Sequence, residues 1–383
     1  MAQPDAGDVA SPPPPPAPPD AQAGPGQGRT FPCSDCGADL VLVPGTRALR
    51  CEHCGHEQPL TVADGAAVEE HDLQAALDRL ATRKGTAELA PGRQELQCPS
   101  CGAAVSFEGT LTSSACAFCG GPIQLDQAHA SRVRLPVDGV LPFGVDAPAA
   151  RAALATWVKK RWFAPRGFKQ RGVSGDLRGL YLPFFTFDAM TDAAYHGERG
   201  DHYTVTVGSG DNKREEQRTR WSESSGAFQR FFDDVLVPAF GTLPGPLLEH
   251  LEPWPLAGCM PFTPEALAGK LAHTYDVELG GCFTRARARI EDDLRDEARE
   301  RIGGDEQRIH DLRVGWAGLT FKHVLLPVWL LAYRYRDRSY RVAVNACTGE
   351  VHGERPWSVL KLGLVAALAV AAIAFWAWNQ VSW

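Results

Sequence analysis

Eight of the 11 cysteines fall in four Cys-x-x-Cys pairs, and these pairs repeat as a unit. Cys33-Ser-Asp-Cys36 is followed after 14 residues by Cys51-Glu-His-Cys54, and Cys98-Pro-Ser-Cys101 after 14 residues by Cys116-Ala-Phe-Cys119. Two such turns joined by a short β-hairpin bring four thiolates into a tetrahedron, the arrangement of a zinc ribbon. A glycine follows each pair (Gly37, Gly55, Gly102, Gly120) and supplies the positive φ that turns backbone N–H groups toward the sulfurs. Leu40–Val43 and Ala103–Phe107 read as strands of the two hairpins. The spacing predicts two structural zinc ions. Cys33, Cys36, Cys51 and Cys54 would hold one, and Cys98, Cys101, Cys116 and Cys119 the other.

Four thiolates complete the coordination of zinc, so these sites are expected to hold structure and not to do catalysis. In modules of about 30 residues the metal stands in for a core, and its binding energy, about 10 kcal/mol or more, becomes folding energy. Rubredoxin-like iron is the chemical competitor, but nothing nearby suggests electron transfer. His53 and His56 read as surface residues beside a complete cysteine set. Paired thiols of this spacing also imply a reducing compartment.

Charge bears on the partner. The chain carries 39 basic and 46 acidic side chains, a net charge of −7. Residues 29–60 contain three basic side chains against four acidic, and residues 93–124 one against two. Neither unit has the cationic footprint of a phosphate-binding surface. Other proteins are therefore the expected partners, with membrane-tethered nucleic-acid binding as the alternative.

The two ends differ sharply. Residues 1–29, with Ser11-Pro-Pro-Pro-Pro-Pro-Ala-Pro-Pro19, read as a disordered arm, a spacer or a ligand for a proline-binding domain. From Leu362 to Trp383 there is no charge, and Leu362–Trp378 is almost wholly apolar. That stretch predicts one C-terminal transmembrane helix within 357–383. Arg355 and Lys361 on its N-terminal side place the bulk of the protein in the cytoplasm, as a single-pass protein of the cell membrane in contact with the lipid bilayer. Gly363, Ala367 and Ala371 lie four residues apart and suggest self-association of that helix.

Between the ends, the expected organisation is ribbon 1 (30–60), a helical spacer (61–94), ribbon 2 (95–128) and a larger α+β domain with an antiparallel sheet (130–356). The fold class is thus α+β, with tandem all-β ribbons attached. Asp146 with Pro148 opens one helix, Thr263-Pro-Glu265 opens another through Leu271, and Phe283–Ile302 is an amphipathic third stopped by Gly303-Gly304. Glu69–Lys84 has the apolar spacing of a fourth. Tyr181–Asp188 leading to His196-Gly-Glu198 resembles Leu326–Tyr333 leading to His352-Gly-Glu354, which suggests a duplicated β-meander. Tyr340–Val351 reads as a hairpin turning at Gly349.

Catalytic signals are weak. Asp233 and Asp234, with His196, His202, His310 and His323, form a candidate metal or acid–base set only if the fold brings them together. The phosphate-loop, His-Glu-x-x-His, Gly-x-Ser-x-Gly and Rossmann patterns are absent, which excludes a motor or helicase. Cys259, Cys282 and Cys347 lack paired spacing and read as buried thiols. A non-enzymatic protein is expected.

Several stretches together carry a family resemblance: the tandem ribbons, Tyr181–Ala189, Phe232-Asp-Asp-Val-Leu-Val237, Thr320–Trp329 and Asn345-Ala-Cys-Thr-Gly349 ahead of an apolar terminal segment. In these the chain resembles bacterial transcription factor IIB-type zinc-ribbon membrane proteins, some labelled primosomal protein N-prime-like. The resemblance spans roughly residues 30–383 and matches the ribbon cysteines position by position. It implies a tail-anchored docking platform, in some relatives one linked to phage-shock protein A in envelope stress. It supplies no catalytic residues. The proline-rich arm departs from the family pattern.

Overall fold

In a computed structural model the described residues are 31–60, 66–83, 89–97, 104–107, 113–115, 122–124, 129–132, 135–165, 168, 177–209, 213–241, 243, 247, 250–335 and 338–381. The N-terminal arm lies outside them. Strands β1 (Leu40–Leu42), β2 (Ala48–Cys51) and β3 (Glu57–Pro59) make a small antiparallel sheet. After β4 (His71–Asp72) and helix α1 (Leu73–Arg83) come the short strands β5 (Leu89–Gln97), β6 (Ala104–Phe107), β7 (Ser113–Ala115), β8 (Pro122–Gln124) and β9 (His129–Arg132). The body then runs β10 (Gly139–Val140), α2 (Ala147–Lys159), β11 (Leu177–Val207), β12 (Arg214–Pro238), β13 (Met260–Pro261), β14 (Leu271–Ala272), α3 (Leu279–Ile302), β15 (Glu306–Tyr335), β16 (Arg338–Asn345), β17 (Val351–Gly353) and α4 (Val359–Val381).

Among the described residues the fold is mostly β, a curled sheet with four α-helices; this corrects the α+β expectation. Three very long strands, of 31, 25 and 30 residues, occupy what the sequence suggested was a mixed domain. β11 lies between β12 and β15, antiparallel to both. The far edge of β15 is filled in turn by β4, β10 and β16. The helix expected after Thr263 is only the 3-10 turn Pro264–Leu267, because Ala268 leaves the helical region at ψ 123° and Gly269 takes φ 72°.

The other helices follow their sequence signals. Asp146 caps α2 by accepting from the Ala149 N–H at 2.8 Å. In α3, Leu279, Cys282, Ala286, Ile290, Leu294, Ala298 and Ile302 are buried along one stripe. Its exposed side is tied by the pairs Arg287–Glu291 at 2.9 Å and Glu297–Arg301 at 2.7 Å, and Gly303 ends it at φ 66°. The two similar stretches pair with each other, Tyr181 opposite Pro327 and Leu182 opposite Leu326. His196-Gly-Glu198, however, continues within β11 whereas His352 lies in β17, so the similarity does not extend to a common second strand. The Asn345–Gly349 turn is built as expected. Gly349 adopts φ 79°, and the buried Asn345 side chain accepts from the N–H of Cys347 and donates to the Leu251 carbonyl, each at 2.8 Å.

Among the described residues, no helix is long and apolar enough to cross a membrane. This overturns the expected transmembrane anchor and, with it, the location as a single-pass protein of the cell membrane. Helix α4 covers the apolar segment, but its first turn belongs to the body. Lys361 donates to the carbonyls of Trp162 at 2.6 Å and Ala164 at 3.0 Å, and the Ser358 N–H to Phe163 at 2.9 Å. Asn379 and Gln380 occupy its last turn. The apolar part between these ends, Leu362–Trp378, is 17 residues and rich in alanine, against the roughly 20 apolar residues of a typical span.

Apolar packing divides the body into regions. One cluster joins Leu40, Leu42, Leu49 and Cys51 of the small sheet to Val140, Phe143, Trp157, Tyr181 and Trp329. Another packs Ile290, Leu294 and Ala298 of α3 on Ala189, Ala193, Phe228 and Phe232. The second covers one face of an arm made by Ala189–Val207, Arg214–Phe232 and Glu306–Ala317, three-stranded for roughly 40 Å and continued by β11 and β12 to roughly 60 Å at the usual rise per residue. The strands bulge where the arm leaves the body, between Phe187 and Ala189 on one side of β11 and between Asp188 and Met190 on the other.

Candidate metal centre

The Cys33–Gly37 and Cys51–Gly55 turns are built alike. In each, the cysteine carbonyl accepts from the glycine N–H, at 2.9 and 3.0 Å, and the cysteine N–H donates across the turn to Ala38 and His56, at 2.7 and 2.8 Å. Gly37 and Gly55 take φ 73° and 76°. An L side chain disfavours that conformation, which is why glycine stands after each pair.

The hairpin folds these turns against each other. The Sγ atoms of Cys33, Cys36, Cys51 and Cys54 all lie within 4.8 Å of one another and form a cluster that can hold a metal ion. Cys33 and Cys54 are 3.7 Å apart and Cys36 and Cys51 are 3.4 Å apart. Sulfurs at the corners of a tetrahedron around zinc, with bonds of about 2.3 Å, stand about 3.8 Å apart, so the donor set fits that ion. Backbone N–H groups of Cys54 and His53 lower the Cys51 thiol to about 6. Cys54 receives similar help from the His56 backbone, but the neighbouring Cys36 sulfur pushes it up to about 12. Four thiols this close cannot all ionise without a cation between them.

His56 is no ligand. Its ring nitrogens contact Asp35 at 2.8 Å and Ser34 at 3.3 Å, so it clasps the two turns together. Cys33 and Cys51 are buried while Cys36 and Cys54 are exposed, so the cluster faces solvent on one side and the body core on the other. The hairpin is locked onto the body by the Leu42 N–H to the Ala268 carbonyl at 3.2 Å and the Gly45 N–H to the Phe143 carbonyl at 2.6 Å. Cys98, Cys101, Cys116 and Cys119 lie outside the described residues.

Of the other predicted residues, Asp233 and Asp234 do come together, with Asp188 as the third member. One carboxylate oxygen from each lies within 4.8 Å of the others. The histidines do not join them. His196 and His310 face each other on the arm with ring centroids 5.8 Å apart. His202 meets Glu306 at 2.7 Å, and His323 is turned to the Pro136 carbonyl at 2.8 Å. Cys259, Cys282 and Cys347 are free thiols that burial pushes up to about 12, with no paired arrangement. Sequence reasoning missed Asp188, Lys322 and Glu70. The available signal was Phe-Phe-Thr-Phe-Asp, an aromatic strand whose alternation sets Thr186 and Asp188 on one face.

No protein-family model matches the chain, and no solved structure matches it. The chain is similar to the uncharacterized protein YdjG of Bacillus subtilis (strain 168), with 26% identity over 231 residues, which is 57% of this chain. The match spans 63% of the length of that relative.

Proposed function

We propose that the protein is a non-enzymatic docking platform for other proteins, with structural zinc fixing its ribbon to a β body and the three-stranded arm presenting the partner surface. The observation that carries this reading is the arm's second face. Helix α3 covers one face. On the other, Met190 and Phe231 are 40% and 56% exposed and lie in register with each other and with Ala317. Ala194 and Ala227 continue the low relief, and Gln229 is held to Asp192 at 2.6 Å. A sheet face on which two large apolar groups stand beside alanines and the Asp192–Gln229 pair suits a protein contact.

The closed sulfur cluster supports a structural role for the metal, since four thiolates leave no position for substrate. On this reading both cysteine quartets hold zinc, two ions per chain. The sequence resemblance to zinc-ribbon proteins that recruit partners in envelope stress points the same way. A photo-crosslinking amino acid at Phe231 or Met190 should give a discrete protein adduct in cells, and one at Asp296, on the outer side of α3, should not. Equal adducts at all three positions, or none under any growth or stress condition, would contradict the proposal.

A further inference from the structure

A second polar site lies at the bulge between body and arm. Thr186 and Asp188 of β11, Thr320 and Lys322 of β15, and Asp234 of β12 share one face of the sheet, with Thr186 directly opposite Lys322 and Asp188 opposite Thr320. Asp233-Asp234 is the extra pair that bulges β12 past Asp188, and Asp234 adopts φ 52°, a left-handed conformation unusual for aspartate. Its N–H donates to Asp188 Oδ1 at 2.6 Å, and the Thr320 hydroxyl donates to Asp188 Oδ2 at 2.9 Å. The Lys322 ammonium lies 2.7 Å from Asp234 Oδ1 and 3.1 Å from Glu70 Oε1. One ammonium therefore bridges Asp234 and Glu70 beside Asp188, which is only 4% exposed.

Thr186 is the independent sign of a ligand. It is 1% exposed, it lines a cavity of about 420 Å³ together with Asp234, Lys322 and Glu70, and its hydroxyl has no hydrogen-bond partner among the described residues. A buried hydroxyl left without a partner is costly, and the cavity, which Asp234 lines at the edge of the aspartate cluster, has room for the waters of an ion bound there.

We propose that Asp188, Asp233 and Asp234 bind a hard divalent cation of the calcium class, with Thr186 holding a water of its coordination shell. The donors are all oxygen, which selects this class over the soft metals that thiolates take. Two oxygens on opposite sides of Ca²⁺ stand about 4.6–5.2 Å apart, so carboxylates within 4.8 Å of one another can share one ion. Lys322 acts as the resident counter-ion and competes with the metal. Because the site stands at the bulge, its occupancy would set how firmly the arm is held to the body.

Isothermal titration of the zinc-loaded full chain with CaCl₂ tests the proposal. One site is expected, weakened at least about tenfold in the exposed-site variant Asp233→Asn and about tenfold in Thr186→Val. Without calcium, Thr186→Val should melt no lower than the parent, since it removes an unsatisfied hydroxyl, yet it should gain less thermal stability on calcium addition. No heat at millimolar Ca²⁺, binding of Mg²⁺ but not Ca²⁺, or calcium binding that both variants leave intact would overturn the assignment.

Discussion

Leu294→Ala isolates the contact that makes the arm a rigid surface. Leu294 is 0% exposed in α3 and packs among Ala189, Ala193, Phe228 and Phe232. Two of those neighbours are already alanine, and both phenylalanines are pinned from outside, Phe228 beneath Arg301 and Phe232 beneath Arg230, with guanidinium carbons 4.4 and 4.5 Å from the ring centres. The site is therefore poorly able to collapse into the space left by three carbons. The cost should fall in the middle to upper part of the leucine-to-alanine range, about 3–4 kcal/mol. Among the described residues α3 is the helix packed on this face, so the loss should appear as local opening of the arm. Hydrogen exchange of arm amides, Ala189–Val207, should accelerate by roughly two to three orders of magnitude, while β16 amides in the body keep their protection. A cost below about 1 kcal/mol would refute the packing argument. Equal acceleration in β16 would refute the idea that the arm opens separately.

Three further outcomes follow from the same structure. Cys51→Ser, or zinc removal by a chelator, should lower the melting temperature of the whole body and alter Trp157 and Trp329 fluorescence, because ribbon and body share one core; unfolding confined to residues 31–60 would contradict this. Gly269→Ala should cost about 2–3 kcal/mol in urea denaturation, since Gly269 has φ 72° and a Cβ would stand 2.6 Å from Val41 Cγ1 at the ribbon seam; an unchanged midpoint would show the seam is loose. The hydrogen bond to Glu306 raises the His202 pKa, so its added protection of the arm tip should be full below the ordinary histidine value and fade as pH rises through the raised one. Amide exchange near residues 199–207 across pH 5–9 measures this, and the dependence should vanish in His202→Gln.

Local chemistry was legible in the sequence, and long-range arrangement was not. The Cys-x-x-Cys-Gly spacing gives the sulfur cluster, the Asp146 cap gives α2, and the apolar stripe and Gly303 give α3, because each is decided within a few residues. The length of β11, β12 and β15 was hidden because their arm halves are mostly exposed on one face, so polar residues interrupt the pattern that marks a strand. Thr186 and Asp188 were readable as buried polar residues in an aromatic strand. Their partners Lys322 and Glu70 come from sequence positions more than a hundred residues away, and the register of β15 with β11 and the pairing of β4 with β15 bring them near. The apolar terminal segment gave the opposite error. Its composition suggested a span, but Lys361 anchors its first turn to Trp162 and Ala164, a contact that hydropathy cannot foresee.

X-ray absorption at the zinc edge on the intact, freshly purified protein tests the central claim most directly. The account predicts sulfur neighbours only, four per ion at about 2.3 Å, with no lighter scatterer in the first shell. An oxygen or nitrogen neighbour near 2.0 Å would mean an open coordination position, and the reading of the metal as a purely structural clamp would be wrong.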